Sequence, residues 1–373
     1  MSKGRVKKTV FPGGNTCLGF YSFFNYIVGQ EARRVFILKG GPGTGKSTLM
    51  KQIGEELLER GLDLEYFRCS SDPDSLDALA APDYRVAILD GTDPHVVDPA
   101  YPGAVDEIVN LNYWDQAKLT SYKEKIINLK SRVKHCFAAC YNSLRMAKLA
   151  RDEERDCREQ ALDQQGFHRL AGGLFRQIFG EESAWGEGTP RERHLFASAL
   201  TPRGIMHYVP SLLDEITMLY LIEGEPGSGK EMILRETAEY AYRAGLAVEV
   251  YHCAFDPAEI DLVVLPDRKI AILKRFPELN FDVDRGALPN LKSCEKIDCQ
   301  PCLGKNALKN YAGELQEARE LFDRCLQRGL AHLQQARALY IELEGYYHEA
   351  MDFQAVDRLR KEVLARMIDV IGL

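Results

Sequence analysis

The sequence has no excess of positive charge. Its 48 lysines and arginines stand against 55 aspartates and glutamates, for a net charge of -7. The basic footprint of a nucleic-acid partner is therefore missing, and the cluster Lys3, Arg5, Lys7 and Lys8 reads as a solvated terminus. Long apolar runs are missing too. The stretch "CLGFYSFFNYIVG" has 13 residues and is broken by Ser22 and Asn25, whereas a spanning helix needs about 20. With no leader pattern either, the expectation is a cytoplasmic protein without a membrane partner, its ten cysteines held as thiols. Cys294, Cys299 and Cys302 in "CEKIDCQPC" lack a convincing fourth ligand, because Cys325 fits a helical seam. They read as reduced loop cysteines, not as a zinc or iron–sulfur centre.

An internal repeat is present. The length of 373 residues predicts about two domains. A shift of 184 aligns residues 36–95 with 220–279 without a gap, and 18 of the 60 positions are identical. The repeat is a duplicated domain. In each copy a short apolar run ("RVFILKG", "MLYLIEG") ends at a glycine loop, as a buried strand would. A helix follows in "STLMKQIGEELLER" and stops at Gly61. "LDLEYFRC" and "YRVAIL" supply two more strands, so each copy begins an open α/β sheet. Long helical seams come next. One runs through Leu119, Tyr122, Ile126, Leu129, Val133, Cys136, Cys140 and Leu144; the other runs through Leu308, Leu315, Ala318, Phe322, Cys325, Leu333, Ala336 and Tyr340. The join between copies is expected near residues 180–190.

The stretch "GGPGTGKST" carries the chemistry. Gly40-x-x-x-x-Gly45-Lys46-Ser47 has the spacing of a phosphate-binding loop and lies between a strand and a helix. Glycines let main-chain amides converge on phosphate oxygens, and the helix amino terminus adds partial positive charge. Lys46 is expected to reach the β- and γ-phosphates, and the Ser47 hydroxyl to meet magnesium, which prefers hard oxygen ligands. Asp90, at the end of "RVAILD", is expected to hold the metal's water shell.

On these residues the chain resembles the P-loop NTPase superfamily. Its tandem layout, with "DGTDPH" after the third strand and long helices closing each half, resembles a bacterial family of duplicated ATPase-like proteins. The resemblance implies an α/β fold of two tandem P-loop NTPase-like domains, 1–190 and 191–373. Each would have a three-layer, mainly parallel sheet and a long helical insertion. It implies ATP or another nucleoside triphosphate bound with Mg2+ by Gly40, Gly41, Gly43, Thr44, Gly45, Lys46, Ser47 and Thr48, with Ser47 and Asp90 at the metal and Thr48 near the α-phosphate.

The second loop departs from this pattern, with Glu231 in place of Ser47 and Lys274 in place of Asp90. Lys274 is expected to pair with Glu231 and take the place of the metal, leaving a pseudo-site. In the first copy Gly91 stands where many ATPases carry a catalytic glutamate. Asp93 and His95 therefore join Lys46 as catalytic candidates, while Asp72 reads as a helix N-cap and Arg203 as one arginine able to reach the site. The leading expectation is ATP hydrolysis. A small-molecule or nucleotide kinase, and a nucleotide-gated module that binds a protein through its helical regions, are the alternatives.

Overall fold

The computed structural model describes residues 3–29, 31–180, 190–275 and 288–373. The expected join at 180–190, and most of the segment matching "DGTDPHVVDP", lie outside the described residues.

The first half runs β1 (Val6–Val10), β2 (Gly13–Thr16), β3 (Gly19–Ser22), β4 (Arg34–Lys39), α1 (Lys46–Glu59), β5 (Leu64–Arg68), β6 (Leu76–Ala81), β7 (Val86–Asp90) and β8 (Asp106–Asn110). Two long helices follow, α2 (Lys123–Glu159) and α3 (Gln164–Phe179). The second half repeats the plan as β9 (Arg191–Phe196), β10 (Ser198–Thr201), β11 (Gly204–His207), β12 (Met218–Glu223), α4 (Lys230–Arg243), β13 (Ala247–His252), β14 (Ile260–Leu265), β15 (Ile270–Lys274) and β16 (Ser293–Asp298). It closes with α5 (Ala312–Ala350) and α6 (Phe353–Ile371).

Two six-stranded sheets result, in the orders β1-β5-β6-β7-β4-β8 and β9-β13-β14-β15-β12-β16. They are mixed sheets. In the first, β6 lies antiparallel to both neighbours while the other three pairings are parallel. Pro82–Tyr84 forms a tight turn and Arg85 adopts φ 58°, which reverses the chain from β6 into β7. The apolar run of β4 is continuous because both of its faces are covered. Phe36 and Leu38 pack with α1, while Val35 and Ile37 point the other way into a cluster shared with the second half.

That shared cluster joins Phe11, Phe23 and Phe67 to Phe196, Leu212 and Tyr251. At its centre Phe11 and Phe196 exchange backbone hydrogen bonds of 3.0 and 3.1 Å. "TVFPGGNTC" thus serves both halves: β1 belongs to the first sheet and Phe11 grips the second. Matching ion pairs flank the contact, Lys8 with Glu249 and Arg193 with Glu65. Helices therefore cover one face of each sheet, and the other face meets this common core, so the expected three separate layers per half are not what is seen.

The helices are exchanged between halves. From α6, Val356, Leu359, Val363 and Met367 pack with Leu49 and Ile53 of α1 under the first sheet. From α3, Phe167, Ala171, Leu174 and Ile178 pack with Ile233 and Leu234 of α4 under the second. Each such fully buried side chain contributes about 1.5–3 kcal/mol. The two seams meet where α2 and α5 lie along one another, burying Cys140 and Leu144 against Cys325, Leu330 and Leu333. Gly329 leaves room for Leu144 at this crossing.

Candidate functional site

The glycine loop leaves the end of β4, and α1 begins at Lys46. Buried Lys46 donates from Nζ to the carbonyls of Gly40 (2.9 Å) and Gly41 (2.8 Å). It also lies 3.6 Å from the Asp90 carboxylate. The parallel register sets Leu38 beside Asp90, so the β7 carboxylate emerges next to the loop. Asp90 Oδ1 accepts from the backbone N–H (2.9 Å) and hydroxyl (2.6 Å) of Thr92, which fixes its orientation. Ser47 Oγ accepts from the N–H of Leu76 at 3.0 Å, and Thr44 Oγ1 donates to Gly41 at 2.9 Å. Gly43, Thr44, Gly45, Lys46, Ser47 and Thr48 line a cavity of about 1650 Å³.

Asp77 is a site residue that the sequence reading missed. Ala78 pairs with Leu89, so the next antiparallel step sets buried Asp77 opposite Asp90. Like charges facing each other across a ladder are destabilising unless cations balance them. Lys46 serves Asp90, and His95 Nε2 stands 3.4 Å from Asp77. His95 is buried and packs its ring on Phe24, with centroids 4.5 Å apart. Burial opposes its protonation, but Asp77 and then Asp90 outweigh that, and its pKa is raised. His95 Nδ1 is buried without a hydrogen-bond partner among the described residues. Asp93 sits in the same turn, exposed at the cavity wall. A signal for Asp77 was present, since it is one of the identities in the repeat, matched by Asp261.

The other half completes the cavity. A Cβ on Gly43 would stand 2.6 Å from the Glu344 carbonyl oxygen, and one on Gly41 would stand 2.6 Å from the Tyr347 ring, so α5 rests directly on the loop. Arg337 of α5 also faces the site, donating to Asp72 (3.0 Å) and Glu344 (2.9 Å). No helix starts at Asp72, contrary to the capping expectation. Its carboxylate instead accepts from Ser75 Oγ at 2.7 Å in the turn that leads into β6. The candidate arginine, Arg203, is spent on exposed Asp74. Among the described residues Arg337 and Arg360 line the cavity; Arg360 is held by Glu56 and Asp357, and Arg337 stands at the position matched by Lys148 under a 189-residue shift.

The second loop keeps the backbone but not the charges. Lys230 donates to the Gly224 carbonyl, and α2 covers Gly227 as α5 covers Gly43. Lys274 does not make the expected pair with Glu231. Its ammonium lies 3.0 Å from both Glu259 and Asp261, while Glu231 lies 3.9 Å from Lys230. The register explains this: Leu262 pairs with Leu273, which brings Lys274 opposite Asp261. Burial opposes charge on Lys274, but Asp261 and Glu259 outweigh it and hold its pKa well above the usual lysine value. Burial pushes Glu259 up, yet Lys274 and Arg155 bring it down to about 2. Burial lowers Lys230, and Lys274 adds to the effect.

The three clustered cysteines do not converge. Cys294 lies on β16 and packs against the shared core, whereas Cys299 and Cys302 are buried with α3 and α4 on the other side. Among the described residues no group of three or more His, Cys, Asp or Glu could hold a metal ion, and no helix is long and apolar enough to cross a membrane. The family model described as Nephrocystin 3, N-terminal, matches residues 19–81, which span β3, the glycine loop, α1, β5 and β6. No curated protein and no solved structure matches the chain.

Proposed function

We propose that the first loop belongs to a P-loop NTPase-like site, one that binds a nucleoside triphosphate, ATP in the leading reading, with Mg2+ and hydrolyses it. The second loop is its non-hydrolysing relic. The observation that carries this reading is the placement of Lys46 on the loop carbonyls, 3.6 Å from Asp90 at the mouth of one large cavity. Amides of Gly43 to Lys46 would hold the β- and γ-phosphates, with Thr48 toward the α-phosphate. The donor set suits magnesium: a serine hydroxyl, an aspartate, and a second carboxylate, Asp77, across the ladder. Bound there, the ion would supply charge neutralisation at the phosphates. On release from the loop carbonyls the Lys46 ammonium can turn to phosphate oxygens. Asp93, at the cavity wall, would accept the proton of the attacking water, and His95, paired with Asp77, would supply positive charge.

The contacts of Glu344 and Tyr347 with the loop favour a second reading, in which nucleotide binding shifts α5 and gates an interaction. Calorimetry with ATP and Mg2+, paired with phosphate release, tests both. Binding and steady release in the wild type, both lost in Lys46→Ala, support hydrolysis. Binding with negligible release, accompanied by altered protease cleavage of α5, supports gating. No heat in the wild type, or heat unchanged in Lys46→Ala, ends the proposal.

A further inference from the structure

The first cavity is larger than one ligand needs. It encloses about 1650 Å³, against about 590 Å³ around the second loop, and single-ligand pockets commonly run to about 1,000 Å³. One wall is a stripe of α2: Lys130, Lys134, Phe137 and Tyr141, spaced 4, 3 and 4 residues apart on one helix face. Lys130 and Lys134 are exposed and have no ion-pair partner among the described residues. Phe137 and Tyr141 stack with ring centroids 6.1 Å apart and planes 28° from parallel. Tyr141 is steadied by donating to Asn15 Oδ1 at 3.0 Å. The stripe therefore has a cationic end and a flat aromatic end.

The second half lacks the same stripe. At the 189-residue shift its counterparts are Arg319, Asp323, Leu326 and Leu330, and the first three line the smaller cavity. One charge is cancelled and both rings are gone. The loss accompanies that of the metal-associated pair, so the stripe goes with the loop that kept its chemistry.

We propose that this wall is a second binding site, for a small anion carrying a flat apolar body, seated across the cavity from the loop. Its anionic group meets Lys130 and Lys134, and its body lies on Phe137 and Tyr141. The inference rests on the nucleotide reading only in assigning the loop end to a different ligand.

The test titrates 1-naphthyl phosphate into the full chain by calorimetry, with and without saturating Mg-ATP. One equivalent is expected to bind in both conditions. Lys130→Glu with Lys134→Glu should weaken it at least about tenfold, since two attractive charges become repulsive, while Lys46→Ala leaves it unchanged. Both substitutions lie on an exposed helix face, and an unaltered melting temperature confirms the fold. No binding to the wild type at millimolar probe, affinity unchanged by the charge reversal, or displacement of the probe by ATP would each overturn the proposal. Binding through the lysines in a protein that ignores ATP would uphold this site and end the nucleotide reading instead.

Discussion

The two glycine loops share a backbone and differ in how negative charge is balanced beside them. Beside the first, Asp77 and Asp90 face each other and rely on Lys46, His95 and, in our reading, a divalent ion. Beside the second, Lys274 fills the place of one carboxylate and binds Glu259 and Asp261 directly. A buried site can keep its carboxylates available for an exchangeable cation, or satisfy them permanently with a side chain. The latter gives a fixed structure and no open coordination.

The sharpest way to break the contrast is to write the second loop into the first. Ser47→Glu would set a carboxylate about 4 Å from phosphate charge and cost about 4 kcal/mol, or about a thousandfold in Mg-ATP affinity measured by calorimetry. Near-normal binding would show that the two loops do not differ through this residue. Lys274→Ala should lower stability by about 3 kcal/mol in denaturant unfolding, because it strands the buried Asp261 carboxylate and leaves Glu259 to Arg155 alone. The corresponding change at Asp90 relieves repulsion and should cost far less.

A smaller effect separates the halves by pH. His252 has its pKa lowered to about 4 by burial and by His194, whose ring nitrogen lies 2.8 Å away. The unfolded chain binds this proton near pH 6.5 and the folded one resists it. The contribution is therefore present above about pH 6.5 and is lost progressively as pH falls toward 4. His252→Gln should flatten that part of the stability profile; the matching first-half position is Arg68, not a histidine. Smallest is Arg337→Ala, expected to slow turnover about tenfold. Arg337→Lys should restore stability but not rate if the guanidinium acts on the reaction, and both if it only ties down Asp72.

The loop, α1 and Asp90 were legible because each is a local pattern: a glycine spacing, a helical period with a glycine stop, an apolar run ending in an acid. The long seams were legible in part for the same reason: Leu129, Val133, Cys136, Phe322 and Leu333 are buried as their spacing requires, while Leu119 and Leu308 fall in separate short helices ahead of the long ones. What local pattern does not encode is register and partner. Asp77 opposite Asp90, and Lys274 opposite Asp261, follow only once β6 and β14 are seen to run antiparallel. Asp72 before a proline matches a helix cap as well as it matches the turn it forms. A seam predicts that a helix has a companion but not which one, so the packing of α6 beneath the first sheet could not be read from its sequence.

That crossing of helices has a consequence for how the molecule can be divided. Cutting the polypeptide at its midpoint would yield two fragments, each with a bare loop and an orphaned arm that fits the other's. Neither fragment is a smaller version of the protein, and mixing them should restore more than either provides alone.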